Sequence, residues 1–65
     1  MTNFWDVQNY RIYAIHSSGW RGTDIPFKGI LPDAKLQARK VLSEQEGEGW
    51  AVKVMADGRV IYSES

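Results

Sequence analysis

An Asp-Gly pair between two runs of apolar and β-branched residues constrains this fold more than any other feature of the sequence. Asp57 and Gly58 divide the segment WAVKVMADGRVIYS. In such a setting the dipeptide favours a type I′ turn that joins two antiparallel strands through a two-residue loop. We therefore predict a β-hairpin with strands over Trp50 to Met55 and over Arg59 to Ser63.

The register of this hairpin follows from its turn. A two-residue loop pairs Ala56 with Arg59, and counting outward from that pair places Val54 opposite Ile61. Alternate side chains of a strand lie on opposite faces of the sheet. The face toward the core should therefore hold Trp50, Val52, Val54 and Ile61. The opposite face should hold Ala51, Lys53, Met55, Val60 and Tyr62.

The first half of the chain predicts one strand and a shorter second one. The segment Tyr10 to His16 is rich in β-branched and aromatic residues and is followed by a Ser-Ser-Gly turn signal. Both of its faces carry apolar side chains, so either face can point inward. Residues 19–23 contain two glycines and are predicted to form a loop. Residues 24–29 can form a second strand, which Pro26 would place at a sheet edge because proline cannot donate to a ladder.

A single helix is predicted from Pro32 to about Gln45. Proline suits the first helical position, and the acidic residue behind it favours the positive end of the helix dipole. An apolar stripe follows the helical period, and two of its members, Ala34 and Ala38, allow close approach to a sheet. Gly47 or Gly49 should end the helix.

These elements together predict an α+β domain of two layers, with the order β(β)αββ. A small antiparallel sheet of three or four strands carries one helix packed on one face. The predicted core consists of Ile12, Ala14, Ala34, Ala38, Val41, Leu42, Trp50, Val52, Val54 and Ile61.

Length and composition exclude several classes of protein. A chain of 65 residues forms one domain at most, and without cysteine it has neither disulfides nor thiolate ligands. No apolar run approaches the roughly 18 residues of a membrane span, and the N-terminus does not resemble a signal peptide. We therefore expect a cytoplasmic protein without a membrane partner, as a monomer or homodimer. A formal net charge of zero argues against wholesale binding to nucleic-acid backbone.

The sequence offers little for catalysis. His16 is the only histidine, and no acidic residue in its local sequence is placed to orient it as a general base. We therefore interpret it as a strand-end histidine that faces solvent, and we expect no enzymatic activity. One histidine without cysteine does not supply a set of transition-metal ligands, so no metal or cofactor is expected.

Several residues are candidates for contact with a partner. Trp20 lies in a glycine-containing loop, where it can either anchor an interface or fold back over the sheet edge. Glu44, Glu46 and Glu48 crowd the predicted C-terminal end of the helix, where the macrodipole disfavours anions. Such a cluster suggests selection for a basic partner, and a solvated charged face is the alternative. Asp57 would extend the acidic surface.

The sheet face opposite the helix, on which Tyr62 is predicted, needs a cover or a partner because one helix covers only one face. The N-terminal segment with Phe4, Trp5 and Val7 can cover it, or a second copy of the chain can. Alternatively the face is a nucleic-acid-binding module, in which aromatic side chains stack on bases while basic side chains contact phosphates. Its members would be Tyr13, Tyr62, Arg11, Lys53 and Arg59.

The pattern also resembles a known group of small proteins. An alanine-spaced helix (Ala34, Ala38, Leu42) followed by the strand–Asp-Gly–strand segment is similar to phage and mobile-element accessory proteins, including inhibitors of type I CRISPR effector complexes. The resemblance covers roughly residues 32 to 63 and carries over no site residue by residue. It implies a stoichiometric anti-CRISPR inhibitor that occupies a basic nucleic-acid channel of a bacterial ribonucleoprotein. The acidic cluster would serve there as a partial mimic of DNA phosphates.

Overall fold

The computed structural model describes residues 6–65 and contains five elements in the order β-β-α-β-β. They are β1 (Gln8–His16), β2 (Arg21–Gly29), α1 (Leu31–Ser43), β3 (Trp50–Ala56) and β4 (Arg59–Glu64). The strands form one antiparallel sheet with the order β2-β1-β3-β4. The helix packs on one face, mainly against the two central strands. The predicted two-layer α+β architecture is confirmed, and the second strand is present.

The core lies between α1 and the central strands. Tyr10, Ile12 and Ala14 of β1 belong to the buried cluster that also contains the buried residues of α1 and β3. This settles which face of the first strand points inward. Burying one face of a sheet against a helix requires apolar residues at alternate positions, and Val52 and Val54 supply them on β3.

The helix ends earlier than predicted. It spans Leu31–Ser43, and Glu44 caps it in a right-handed conformation, with its N–H directed at carbonyls of the last turn. The prediction that Gly47 or Gly49 ends the helix is therefore wrong. Both glycines have positive φ angles but lie in the following loop, because the chain leaves the helix axis before it reaches them.

The second strand is longer than predicted. It begins at Arg21, so the predicted loop over residues 19–23 is wrong for its last three positions. Arg21 pairs with Ile15 on β1, and a register shift separates this pair from the Tyr13–Asp24 pair, so Gly22 and Thr23 lie at an irregularity of the ladder. Pro26 lies on an edge strand, as predicted, and it pairs with Arg11.

The hairpin has the predicted turn and a different register. Asp57 and Gly58 have φ angles of 51° and 75°, as a type I′ turn requires. A bulge then shifts the pairing, so that Val54 lies opposite Tyr62 and not opposite Ile61. An extra residue in one strand exchanges the two faces beyond it. Two predictions fail for this reason: Ile61 is not in the core, being 44% exposed, and Tyr62 lies on the helix side of the sheet.

Tyr62 and its neighbours attach the edge strand β4 to the helix. The Tyr62 ring packs against the core cluster, and the Lys35 ammonium lies 5.1 Å from its centroid. Arg39 pairs with Glu64 at 3.4 Å. The hydrogen bond to Tyr62, together with the charge of Glu64, raises the pKa of Arg39 above its usual value.

Candidate interaction surface

His16, at the end of β1, holds two loops together. Its Nε2 lies 2.9 Å from the Glu48 carbonyl oxygen, and its Nδ1 lies 2.7 Å from Ser18 Oγ and 3.1 Å from the Ser18 backbone nitrogen. A carbonyl oxygen only accepts, so Nε2 carries the proton and Nδ1 accepts from Ser18. Both ring nitrogens of the neutral imidazole are therefore occupied.

The same imidazole ring lies between two tryptophans. Trp20 stacks on it at a centroid distance of 5.1 Å with an interplanar angle of 24°, and Trp50 meets it edge-on, also at 5.1 Å. The interpretation of His16 as a residue that simply faces solvent is wrong, because the ring is half-buried between these contacts. Trp20 follows His16 by four residues, but Trp50 is distant in sequence, so local sequence carries no signal of the complete cluster.

Trp20 is exposed and yet held in place. Its side chain is 67% accessible, and it does not fold back over the sheet edge. Its carbonyl accepts a 2.7 Å hydrogen bond from the His16 backbone nitrogen, which closes the β1–β2 turn. Gly19 supports this turn with a φ angle of 100°, a conformation that favours glycine. The indole is thus fixed by its backbone and by one stacked face, and the other parts of it are open to contact.

The segment Glu44 to Gly49, here called the acidic loop, lies beside Trp20. The Ser17 backbone nitrogen donates to the Gly49 carbonyl at 2.8 Å, and Trp50 Nε1 donates to the Glu46 carbonyl at 2.8 Å. The loop is therefore bound by its main chain to the end of β1 and to the start of β3. A side chain at Gly49 would lie only 2.9 Å from His16 Nε2, so glycine permits the close approach of the two loops.

The side chains of the acidic loop divide into two groups. Gln45 points inward and donates to Thr23 Oγ1 and to the Val41 carbonyl, each at 3.0 Å. Glu44, Glu46 and Glu48 are exposed, and none of them forms an ion pair with any residue from 6 to 65. The structure thus brings three predicted carboxylates together with Trp20 at one end of the molecule.

The other two predicted contact residues lie elsewhere. Asp57 is in the β3–β4 turn, at the opposite end of β3 from the acidic loop, and a strand of this length spans about 20 Å. The predicted acidic surface is therefore not continuous with Asp57. Tyr62 packs toward the helix. We define the contact surface as Trp20 with Glu44, Glu46 and Glu48.

The helix-dipole argument for these carboxylates is correct for only one of them. The effect of the macrodipole falls off within the last turn of a helix, and α1 ends at Ser43. Glu44 caps it, while Glu46 and Glu48 lie beyond it. Within the helix the charges follow the favourable order, with Asp33 in the first turn and Lys40 in the last. The carboxylates are gathered by the loop, not by the helix.

Residues 6–65 contain no group of three or more histidine, cysteine, aspartate or glutamate side chains that could hold a metal ion. Over the same range no helix has the length and apolar character that would let it cross a membrane.

Comparison with known proteins gives no match. No protein-family model, no curated protein and no solved structure is significantly similar to this chain.

Proposed function

We propose that this chain is a non-enzymatic inhibitor that binds a bacterial protein or ribonucleoprotein complex. It would insert Trp20 into the partner and place the acidic loop against a basic surface around that contact. The partner that we propose to test first is a type I CRISPR effector complex, in which the inhibitor would block the basic nucleic-acid-binding channel.

The observation that carries this proposal is an exposed tryptophan that is already held in one position. A mobile aromatic side chain loses conformational freedom when it is buried in an interface, which costs about 0.5–1.5 kcal/mol. The stacking on His16 and the closed turn hold Trp20 before any partner arrives. Tryptophan is also enriched among residues whose truncation weakens an interface by 2 kcal/mol or more. A fixed, 67% exposed indole is therefore suited to be the anchor of a contact.

The charges around the anchor indicate the chemistry of the partner. Three carboxylates without partners among residues 6–65 favour a surface rich in arginine and lysine. Complementary charges at the rim of an interface increase the association rate and discriminate against wrong partners. Because these groups are exposed, their contribution should decrease as salt concentration rises.

The alternative function, stacking of bases on the sheet face opposite the helix, is not supported by the two tyrosines that the sequence indicated for it. Tyr13 is only 6% exposed, and the Arg21 guanidinium lies over its ring at 4.2 Å. Tyr62 lies on the other side of the sheet. Phe4 and Trp5, which the sequence suggested as a cover for this face, lie outside the described residues. Neither Tyr13 nor Tyr62 is therefore placed for stacking on an extended strand of bases.

The test is direct binding to a purified type I effector complex, measured by biolayer interferometry. Trp20→Ala should weaken binding by at least about 30-fold, which corresponds to the 2 kcal/mol of an anchor residue. The double variant Glu46→Gln/Glu48→Gln should reduce affinity clearly at low salt and much less at high salt. Its matched control is Asp33→Asn/Asp57→Asn, which removes the same charge from distant sites and should bind like the wild type.

Two results would contradict the proposal. If the wild-type chain does not bind the complex at concentrations near 10 µM, the assigned partner is wrong. If it binds but Trp20→Ala and the acidic-loop double variant bind equally well, the contact surface is wrong. Circular dichroism of each variant should confirm that the fold is retained.

A further inference from the structure

Three cations form a diagonal line across the sheet face that points away from α1. Lys28 on β2 pairs with Asn9, which lies two residues before Arg11 on β1. Arg11 pairs with Met55 on β3, two residues after Lys53. Each step from Lys28 to Arg11 to Lys53 therefore moves one strand across and two residues along. Diagonal neighbours of this kind lie about 7–8 Å apart.

The register places all three side chains on one face. Core residues alternate with them along each strand: Phe27 precedes Lys28, Ile12 follows Arg11, and Val52 and Val54 flank Lys53. Successive side chains point to opposite faces, so the basic residues face away from the helix. Lys28 and Arg11 are exposed, and Lys53 is half-buried.

A fourth cation joins the line through a shared carboxylate. Asp24 accepts from Arg11 Nε at 2.7 Å, and its other oxygen lies 3.5 Å from Arg21 Nη1. One carboxylate thus holds two guanidinium groups near each other, with Tyr13 beneath Arg21 at 4.2 Å. Each guanidinium has five N–H donors, so most of its donors are free for a second acceptor.

The remaining contacts leave this face basic. Among residues 6–65, the one polar contact of the Lys53 ammonium is a long one of 3.4 Å with Ser63 Oγ. Asp57 borders the face at the hairpin turn, in a groove that Arg11 and Met55 also line. The described residues of β1, β2, β3 and the β3–β4 turn therefore give this face four cations against two carboxylates, although the whole chain is formally neutral. The excess positive charge lies along the diagonal.

We propose that this cationic diagonal binds the phosphate backbone of a single-stranded nucleic acid. A linear polyanion can follow cations set in a line, and guanidinium groups match phosphate oxygens in geometry. The buried Tyr13 offers no stacking surface, so contacts with phosphates would provide the affinity and base identity would matter little. The site is separate from Trp20 and the acidic loop, and it does not depend on the function proposed above.

The probe is a fluorescein-labelled 20-mer of thymidylate, and the readout is fluorescence anisotropy over a range of salt concentrations. Arg11 and Arg21 share the negative charge of Asp24, so together with Lys28 and Lys53 they offer a net of three phosphate contacts. Three contacts predict a slope of log K against log salt near −2, since each contributes about −0.7 in single strands. Binding that relies on the backbone alone is expected on the order of 10⁻⁴ to 10⁻⁶ M.

Matched variants locate the site. Lys28→Gln/Lys53→Gln removes two cations of the diagonal and should reduce the slope to about −0.7, with at least 10-fold weaker binding at low salt. Lys35→Gln/Lys40→Gln removes the same charge from the helix side and should keep the wild-type slope. A guanosine- and adenosine-containing 20-mer should bind within about 3-fold of the thymidylate probe.

Three results would overturn the proposal. The first is no anisotropy change up to about 1 mM protein at low salt. The second is an equal loss of affinity in both double variants, which would indicate a diffuse electrostatic effect. The third is tighter binding of poly-glutamate than of the oligonucleotide in a competition at equal charge concentration, which would indicate an acidic polypeptide as the ligand.

Discussion

The alanine-lined face of the helix, which packs on the sheet, predicts the effect of one substitution, Ala38→Leu. Ala38 is fully buried, and Ala34, one turn earlier, is fully buried too. These alanines let α1 lie close to the central strands, where Ile12, Val52 and Val54 are also inaccessible. Leucine at this position would replace the alanine methyl group with an isobutyl group, and the packed contact has no space for the additional atoms. The helix must move away, or neighbouring side chains must leave their preferred rotamers.

The magnitude is large for a domain of this size. Overpacking of a close-packed core costs about 1–3 kcal/mol. A chain of this length has a total stability of roughly 3–10 kcal/mol, so a substantial fraction would be lost. Each kcal/mol corresponds to about 4–8 °C in the melting temperature of a small domain. Ala38→Leu should therefore melt at least about 4 °C below the wild type.

Urea denaturation followed by circular dichroism and tryptophan fluorescence measures this loss. The midpoint should fall while the slope with denaturant stays the same, because the surface exposed on unfolding changes little. Lys40→Leu adds a leucine at an exposed position of the same helix and should change the stability by less than about 0.5 kcal/mol. If Ala38→Leu unfolds at the wild-type midpoint, the helix does not pack on the sheet through Ala38, and the core described here is wrong.

Two further predictions concern the loops and the hairpin. Gly49→Ala should lower the stability of the protein to urea more than Gly47→Ala does. Both glycines have positive φ angles, but only a side chain at Gly49 would press on His16. Equal losses of stability would mean that the close approach at Gly49 does not contribute to the free energy of unfolding. In thermal melting, Tyr62→Ala should destabilise the protein by about 2 kcal/mol or more, and Ile61→Ala by less than about 1 kcal/mol, because only Tyr62 packs on the core. The reverse order would support the hairpin register without a bulge.

The elements of the fold were predictable because their signals are local. The Asp-Gly turn, the apolar period of the helix and the proline at the sheet edge each act within a few residues. The hairpin bulge is different in kind. Ile61 and Tyr62 both suit a strand, and the choice between them depends on which side chain fits between β4 and α1. Lys35 and Arg39 contribute to that choice from the helix, and no pattern within the hairpin reports it.

The helix end shows a second limit of local reasoning. Glycine after an apolar stripe is typical of a helix C-terminus, and Gly47 fits that rule. The helix ends sooner because Gln45, after the Glu44 cap, turns its side chain back to Val41 and across to Thr23. The second of these bonds joins the acidic loop to β2 and exists only in the folded chain. Sequence-based rules place the end of the helix within two residues of its position in the structure, but they cannot supply this tertiary bond.

The three glutamates of the acidic loop lie together in the structure, but the reason for which the sequence indicated them holds for only one of them. The sequence indicated Glu44, Glu46 and Glu48 because carboxylates at a helix C-terminus oppose the macrodipole. Since α1 ends at Ser43, that cost does not reach Glu46 or Glu48. Their main chain is fixed by Trp50 and His16, while their side chains are exposed. Replacing these two carboxylates with amides therefore leaves both the helix and the loop hydrogen bonds intact, so a change in partner affinity in that variant would report on the contact itself.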